Sequence, residues 1–211
     1  MNKQKIWGIT GWVAAFAIGS VMFTTGFQGT AAKTGNVDMT RLIADSKRGQ
    51  RLNDLLRNEF TLRQGILEFM NSQRILTQDQ AVKLRTLTLK KDATAAEKTE
   101  LENVKEAVKA DAKKFNDLNR KPTPTEADRT LLTDYNNRIQ LTEGLLGQWQ
   151  QEFQNELLSI EEDERGKLMV DARKAVSEVS KRGGYSVVFT SQAAVYAAND
   201  VTDEAIKEID K

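Results

Sequence analysis

Gly183-Gly184-Tyr185-Ser186-Val187-Val188-Phe189-Thr190 is where the apolar spacing of the chain changes from a helical period to the alternation of a strand. The stretch before it is long and charged and runs through Glu164-Arg165-Gly166-Lys167-Leu168, so a helix hands over to a small sheet here. A second run of strand character, Ala194-Val195-Tyr196-Ala197, follows after Ser191, Gln192 and Ala193, a connection whose length predicts a hairpin. Two strands alone are marginal in water, so the sheet must recruit strand from elsewhere in the chain or from other subunits.

Working back from the sheet, the helical stretch carries Leu132, Ile139, Leu146, Phe153 and Ile160 at seven-residue steps, with Tyr135 and Trp149 in an accompanying row that Thr142 and Glu156 interrupt. A partner stripe lies between Thr40 and about Gln73. Leu52, Leu55, Leu62, Ile66 and Phe69 form its seam, which Glu59 breaks and which Leu56, Phe60, Leu67 and Met70 widen. Pro122 and Pro124, the two prolines of the chain, forbid helix across Arg120-Lys121-Pro122-Thr123-Pro124-Thr125 and place the chain reversal there. Residues 94–119 are then expected against 125–150 and residues 40–73 against 151–182, with 77–91 left as an elbow. Thr77 with Gln80, Thr94 with Glu97 and Thr125 with Asp128 each spell a capping box and so a helix start. Gly65, Gly144, Gly147 and Gly166 lie inside helical stretches, each a weak point of a bendable arm.

Composition limits the chemistry. The 211 residues are 39% apolar and 29% charged with only 7% aromatic, which suits an elongated helical molecule better than a compact globule. With no Cys and no His, thiolate nucleophiles, Cys/His zinc sites and histidine bases are excluded. No phosphate-binding glycine loop or nucleophile elbow is present, and acidic residues at helical spacing read as a solvated face. The expectation is no enzyme, no cofactor and no metal; a carboxylate-only hydrolase would need a cleft that a helical hairpin does not supply. Lys3 and Lys5 are the only charged side chains of the first 32 residues, which leaves 29 basic against 30 acidic in the rest. Lys alternate with Glu and Asp there, a pattern that excludes nucleic acid as partner.

Residues 1–32 have the order of a secretory signal: Lys3 and Lys5, an uncharged run from Ile6 to Phe27, then Gly29, Ala31 and Ala32 as a small-residue exit. Cleavage near Ala32 would release a soluble protein beginning at Lys33. The run is also long enough to span a bilayer, and uncleaved it would be an inner-membrane anchor through residues 6–27. Both readings export residues 33–211.

The two ends together resemble the Skp/OmpH family of periplasmic chaperones. Lys33-Thr34-Gly35-Asn36-Val37-Asp38-Met39, followed by Arg41-Leu42 and Ser46, is similar to that family's opening strand and first helix. Glu164-Arg165-Gly166-Lys167-Leu168, the Val187-Val188 pair, Val195-Tyr196-Ala197 and Asn199-Asp200-Val201-Thr202 follow its C-terminal pattern in order and spacing. The resemblance covers about residues 33–75 and 150–211; residues 76–149 match only as a helical hairpin. It implies a mainly α fold with a small β body: long coiled-coil arms on a trimeric β-barrel-like base. Residues 33–39 would be the N-terminal strand of the body, 40–182 the arm with its tip near 120–124, and 183–211 the C-terminal strands and short helix.

The function so implied is an ATP-independent holdase that keeps unfolded outer-membrane proteins in a cavity between the arms of a homotrimer. Val37, Tyr185, Val187, Val188, Phe189, Val195 and Tyr196 are the expected trimer body. Phe60, Phe69, Leu145, Trp149 and Phe153 are the expected client contacts, because a near-neutral chain leaves capture to apolar side chains. Thr34 and Asn36 depart from the apolar pattern of the opening strand and predict a short or poorly paired one. The alternative is a membrane-anchored trimeric coiled-coil spacer of the cell envelope.

Overall fold

The computed structural model describes residues 32–194 and 198–211, so the leader reading of residues 1–31 and the places of Val195, Tyr196 and Ala197 lie outside the described residues. The chain order is β1 (Thr34–Val37), α1 (Met39–Asp45), α2 (Lys47–Gln73), α3 (Gln78–Leu89), α4 (Ala95–Asn119), α5 (Glu126–Gly183), β2 (Val187–Thr190) and α6 (Thr202–Ile209). Helix dominates, and among the described residues the sheet has two strands. All of these elements and both apolar cores lie within Lys33–Lys211, which is one compact unit by itself.

The expected hairpin of β2 with residues 194–197 lies outside the described residues, and the strand pairing described is that of β2 with β1. β1 and β2 run parallel, in the register Thr34↔Val187 to Val37↔Thr190. A parallel pair needs a crossover, and here the crossover is the entire helical arm. β1 is short, as its polar residues predict, but it is not poorly paired. On the side away from β2, the Asn36 amide donates to the Asn199 carbonyl at 2.7 Å and the Val201 amide donates to the Asn36 carbonyl at 2.8 Å. Asn36 and Thr34 fit because polar partners meet them: Ser191 Oγ donates to Asn36 Oδ1, and Asn199 Nδ2 donates to the Thr34 carbonyl.

The Asn199-Asp200-Val201-Thr202 stretch therefore clasps the two chain ends. Thr202 is fully buried, and its Oγ1 accepts from the Asp38 amide at 2.9 Å while donating to Asp200 Oδ1. These bonds from Thr202 hold the Asp200 carboxyl below its usual range. Asp38 in turn caps α1 through the Arg41 amide, and Asp210 after α6 accepts from the Lys47 amide at the start of α2. Val37, Leu42, Leu52, Leu168, Ala172 and Val179 form the base core with Val201, Ala205 and Ile209 of the C-terminal segment.

Local signals set the helix ends. All three capping boxes form, including the one with Asp128 in place of the usual Glu or Gln. The reversal falls between Asn119 and Glu126, at the prolines. α5 runs unbroken for 58 residues, about 87 Å at 1.5 Å per residue, and stops where Gly184 takes a left-handed φ of 67°. The first helix is not continuous from Thr40 to Gln73: it breaks at Ser46, whose Oγ donates to the Ile43 carbonyl and accepts from the Gly49 amide. A Cβ at Gly49 would stand 1.8 Å from the Ile43 carbonyl oxygen.

Two predictions follow from this geometry. Gly49→Ala overpacks the break and should cost about 1–3 kcal/mol in urea unfolding, whereas Gly166→Ala meets open space in α5 and should stabilise by roughly 0.5–1 kcal/mol; equal effects would contradict the packing at Ser46. At the tip, Asp128 accepts from Lys121 Nζ and from the Thr125 amide and hydroxyl, which lowers its carboxyl from 3.8 to about 2. A depressed carboxylate stabilises fully above pH 3.8, and its contribution is lost as the pH falls through about 2. An NMR titration that found Asp128 at its ordinary value would remove this capping contact.

Candidate functional site

The arm is built differently from a two-helix hairpin. The buried row of α5 is Tyr135, Thr142 and Trp149, continued by Phe153, while Leu132, Ile139, Leu146 and Ile160 are only half-buried. The row that looked interrupted is thus the seam, because its polar members find partners. Thr142 is fully buried, donates to the Arg138 carbonyl at 2.8 Å and accepts from the Leu76 amide at 3.3 Å. That contact pins the end of the α2 segment to the upper half of α5, so α2 faces a longer part of α5 than residues 151–182.

Residues 77–91 are not an elbow. They contain α3, which doubles back along α2, so that Thr88 shares a crevice with Thr61, Leu62 and Gly65. The first half of α4 then lies beside α3 through Lys83–Glu100 and Lys90–Glu97 ion pairs. Its outer half meets α5, where Asp111 binds Arg138 and accepts from Tyr135, and Phe115 packs edge-on to the Tyr135 ring. Burial and the Asp111 carboxylate push the Tyr135 phenol up. At mid-height the arm consequently has a core of its own, made by Ile66, Met70, Ala81, Leu84, Val108, Trp149 and Phe153.

An ionic cluster closes the lower end of this core. Arg63 Nη1 binds Glu59 Oε2 at 2.6 Å, and its Nη2 lies 3.1 Å from Glu156 Oε2. Arg85 on α3 reaches across to Glu152 and Glu156, each at 2.6 Å. The two guanidinium groups flank the Phe153 ring at 5.7 and 5.0 Å, and Arg85 also covers Trp149 at 5.1 Å. Glu152 is held below its usual range by Gln148 first and Arg85 second. The sequence reading took Glu59 and Glu156 as breaks in the seams and missed Arg63, Arg85 and Glu152. The available signal was opposite charge at seam positions of two stripes expected to pair.

The expected client contacts divide in two. Phe60 is 54% exposed on α2, and Phe69 and Leu145 are half-buried at the margin of the mid-arm core. Trp149 and Phe153 are 4% and 2% exposed inside it. They are therefore core residues of the arm in this conformation rather than surface contacts, because α3 and Arg85 cover them. Val82 on α3 and Leu158 on α5 are exposed apolar side chains that the sequence reading did not select.

Of the expected body residues, Val37 is buried in the base core, with Tyr185 and Val188 packed against it. Lys33 Nζ sits 4.2 Å over the Tyr185 ring. Val187 and Phe189 alternate to the other side of β2 and are exposed. Val195 and Tyr196 lie outside the described residues. A groove of about 630 Å³ opens beside β2, with Met39, Ile43, Met169 and Val176 among its walls.

A family model described as "Outer membrane protein (OmpH-like)" matches residues 33–209. The chain belongs to the OmpH-like family. Its members are periplasmic chaperones of outer-membrane proteins rather than enzymes. No curated protein and no solved structure matches this chain. The match to this OmpH-like chain runs through residues 76–149, which the sequence resemblance covered only as a hairpin. Among the described residues no helix is long and apolar enough to cross a membrane.

Removing one partner of a buried pair leaves the other charge uncompensated. Arg63→Ala should therefore destabilise residues 33–211 by about 3–5 kcal/mol. The double change Glu59→Leu with Arg63→Met, which leaves Glu156 to Arg85, should cost far less. Urea unfolding of both variants checks this, and an equal loss in the two would show that Arg63 acts by packing rather than charge.

Proposed function

We propose that the protein is an ATP-independent holdase of the periplasm that keeps unfolded outer-membrane proteins from aggregating, and that it works as a homotrimer. Family membership over residues 33–209 is the observation that carries this reading. The base supports the assembly: β2 presents Val187 and Phe189 outward, and the two described strands are marginal unless further strand extends them. The arm supports client capture. Phe60, Val82 and Leu158 are separate exposed apolar points along it, suited to many weak contacts with an unfolded chain.

Charge plays a small part in capture. Most cations on α4 and α5 are already paired with acids three or four residues away, as in Lys105–Glu102, Lys109–Glu106 and Arg165–Glu161. Such pairs neutralise the arm locally, leaving apolar contact as the main attraction. Phe60, Phe69 and Leu145 are the client contacts accessible on the arm surface, and Trp149 and Phe153 require the arm to open. The body would assemble through Val187 and Phe189, while Val37, Tyr185 and Val188 hold its strands to each chain's own helices.

The test is dilution of a urea-unfolded outer-membrane protein into buffer with and without residues 33–211. Suppressed light scattering and a soluble complex containing three subunits are expected. Phe189→Asp should give monomers with weak suppression, since a charge on an apolar interface is unpaired. Unchanged scattering from a folded trimer would instead favour a structural spacer of the envelope.

A further inference from the structure

We propose that the aromatic face of the arm beneath α3 is a client-contact surface and that α3 is its displaceable cover. This rests on the holdase reading and says where within the arm the strongest apolar contact is made. Ile66 and Met70 of α2 and Trp149 and Phe153 of α5 form the most concentrated apolar surface of the arm, and each is at most 4% exposed. What hides them is largely a short helix and one arginine.

The cover is loosely made. α3 has 12 residues, too few to be stable as an isolated helix, and it buries only Ala81 and Leu84. Its reach to α5 is ionic: Arg85 to Glu152 and Glu156, with the guanidinium lying over the Trp149 and Phe153 rings. Its inner face fits poorly, because a crevice of about 190 Å³ remains where Thr88 meets Leu62, Gly65 and Lys105. The Thr88 hydroxyl is buried there without a hydrogen-bond partner.

The N-terminus of the cover is set off from α2, while its far end is tied to the start of α4 by the Lys83–Glu100 and Lys90–Glu97 pairs, so that the start of α4 moves with it. Thr77 and Gln80 close the N-terminus of α3 in a local capping box, and Arg74 in a left-handed conformation divides it from α2. A segment with these properties belongs to the low-stability end of a fold, where opening occurs locally without unfolding the rest. Once α3 moves away, two aromatic rings and two aliphatic side chains meet solvent together. An unfolded apolar segment replaces the contacts that Ala81, Leu84 and Arg85 gave up. The free protein keeps this surface covered and so avoids self-association.

Trp149 is the single tryptophan of residues 33–211, which makes it a native reporter. The experiment measures acrylamide quenching of Trp149, and the rate of client capture by stopped flow. The client is a urea-unfolded outer-membrane β-barrel protein with its tryptophans replaced by phenylalanine. Arg85→Ala should raise quenching in the free protein and speed capture on the order of tenfold, by enlarging the open population. Thr88→Val, which keeps the shape but removes the unpartnered hydroxyl, should lower quenching and slow capture. In the wild type, client binding should shift the Trp149 emission.

A complex that forms while Trp149 keeps its free-state emission and quenching overturns this inference alone. Equal capture rates in wild type, Arg85→Ala and Thr88→Val also overturn it. Failure of the wild type to bind the client at all sinks the holdase reading together with the inference.

Discussion

Strand β1 is held on both edges, by β2 on one side and by residues 199–201 on the other, and the remainder of the fold depends on that clasp. Four residues near the N-terminus cannot fix themselves; they are fixed because the chain returns to them twice, more than 150 positions later. The parallel register forces everything between the strands to be a crossover, and a crossover of this length becomes an arm. Thr202 and Asp200 tie the clasp to the caps of α1, while Asp210 ties α6 to the first turn of α2. One short motif thereby fixes where the arm begins and how its two roots stand together.

Above the base the arm changes character. A coiled-coil hairpin would carry apolar residues along one seam, but here the seam contains Thr142, Glu59, Arg63 and Glu156. Polar groups at such positions fix which residues face each other, because any slip strands a buried charge. The arm is thus divided into a base core, an ionic layer and a mid-arm core, with α3 folded back onto the last of these. Under the proposed holdase function, this arrangement supplies a stable root together with a part that yields.

Much of this was legible in the sequence wherever the signal is local. The three capping hydroxyls, the proline reversal and the glycine stop of α5 all depend on neighbours within a few positions. The parallel pairing of β1 was not legible, because alternation marks a strand without naming its partner, and Asn36 reads as unfavourable until Asn199 and Ser191 are beside it. The true seam of α5 was hidden for a related reason. Hydrophobic periodicity discounts Thr142 and Glu156, whose burial is satisfied by Leu76, Arg63 and Arg85 on other elements. The fold-back of α3 escaped because its stripe is weak, with only Ala81 and Leu84 buried. Of the expected client contacts, Trp149 and Phe153 lie together in the mid-arm core, and their spacing along the chain does not show that α3 covers them.

The clasp at the base and the proposed cover at mid-arm should differ in how readily they open, and hydrogen exchange read by mass spectrometry compares the two in one measurement. On addition of an unfolded outer-membrane protein, the amides of residues 34–37 and 199–202 should keep their protection while those of residues 78–89 lose theirs. Loss of protection at the base with residues 78–89 unchanged would contradict this expectation.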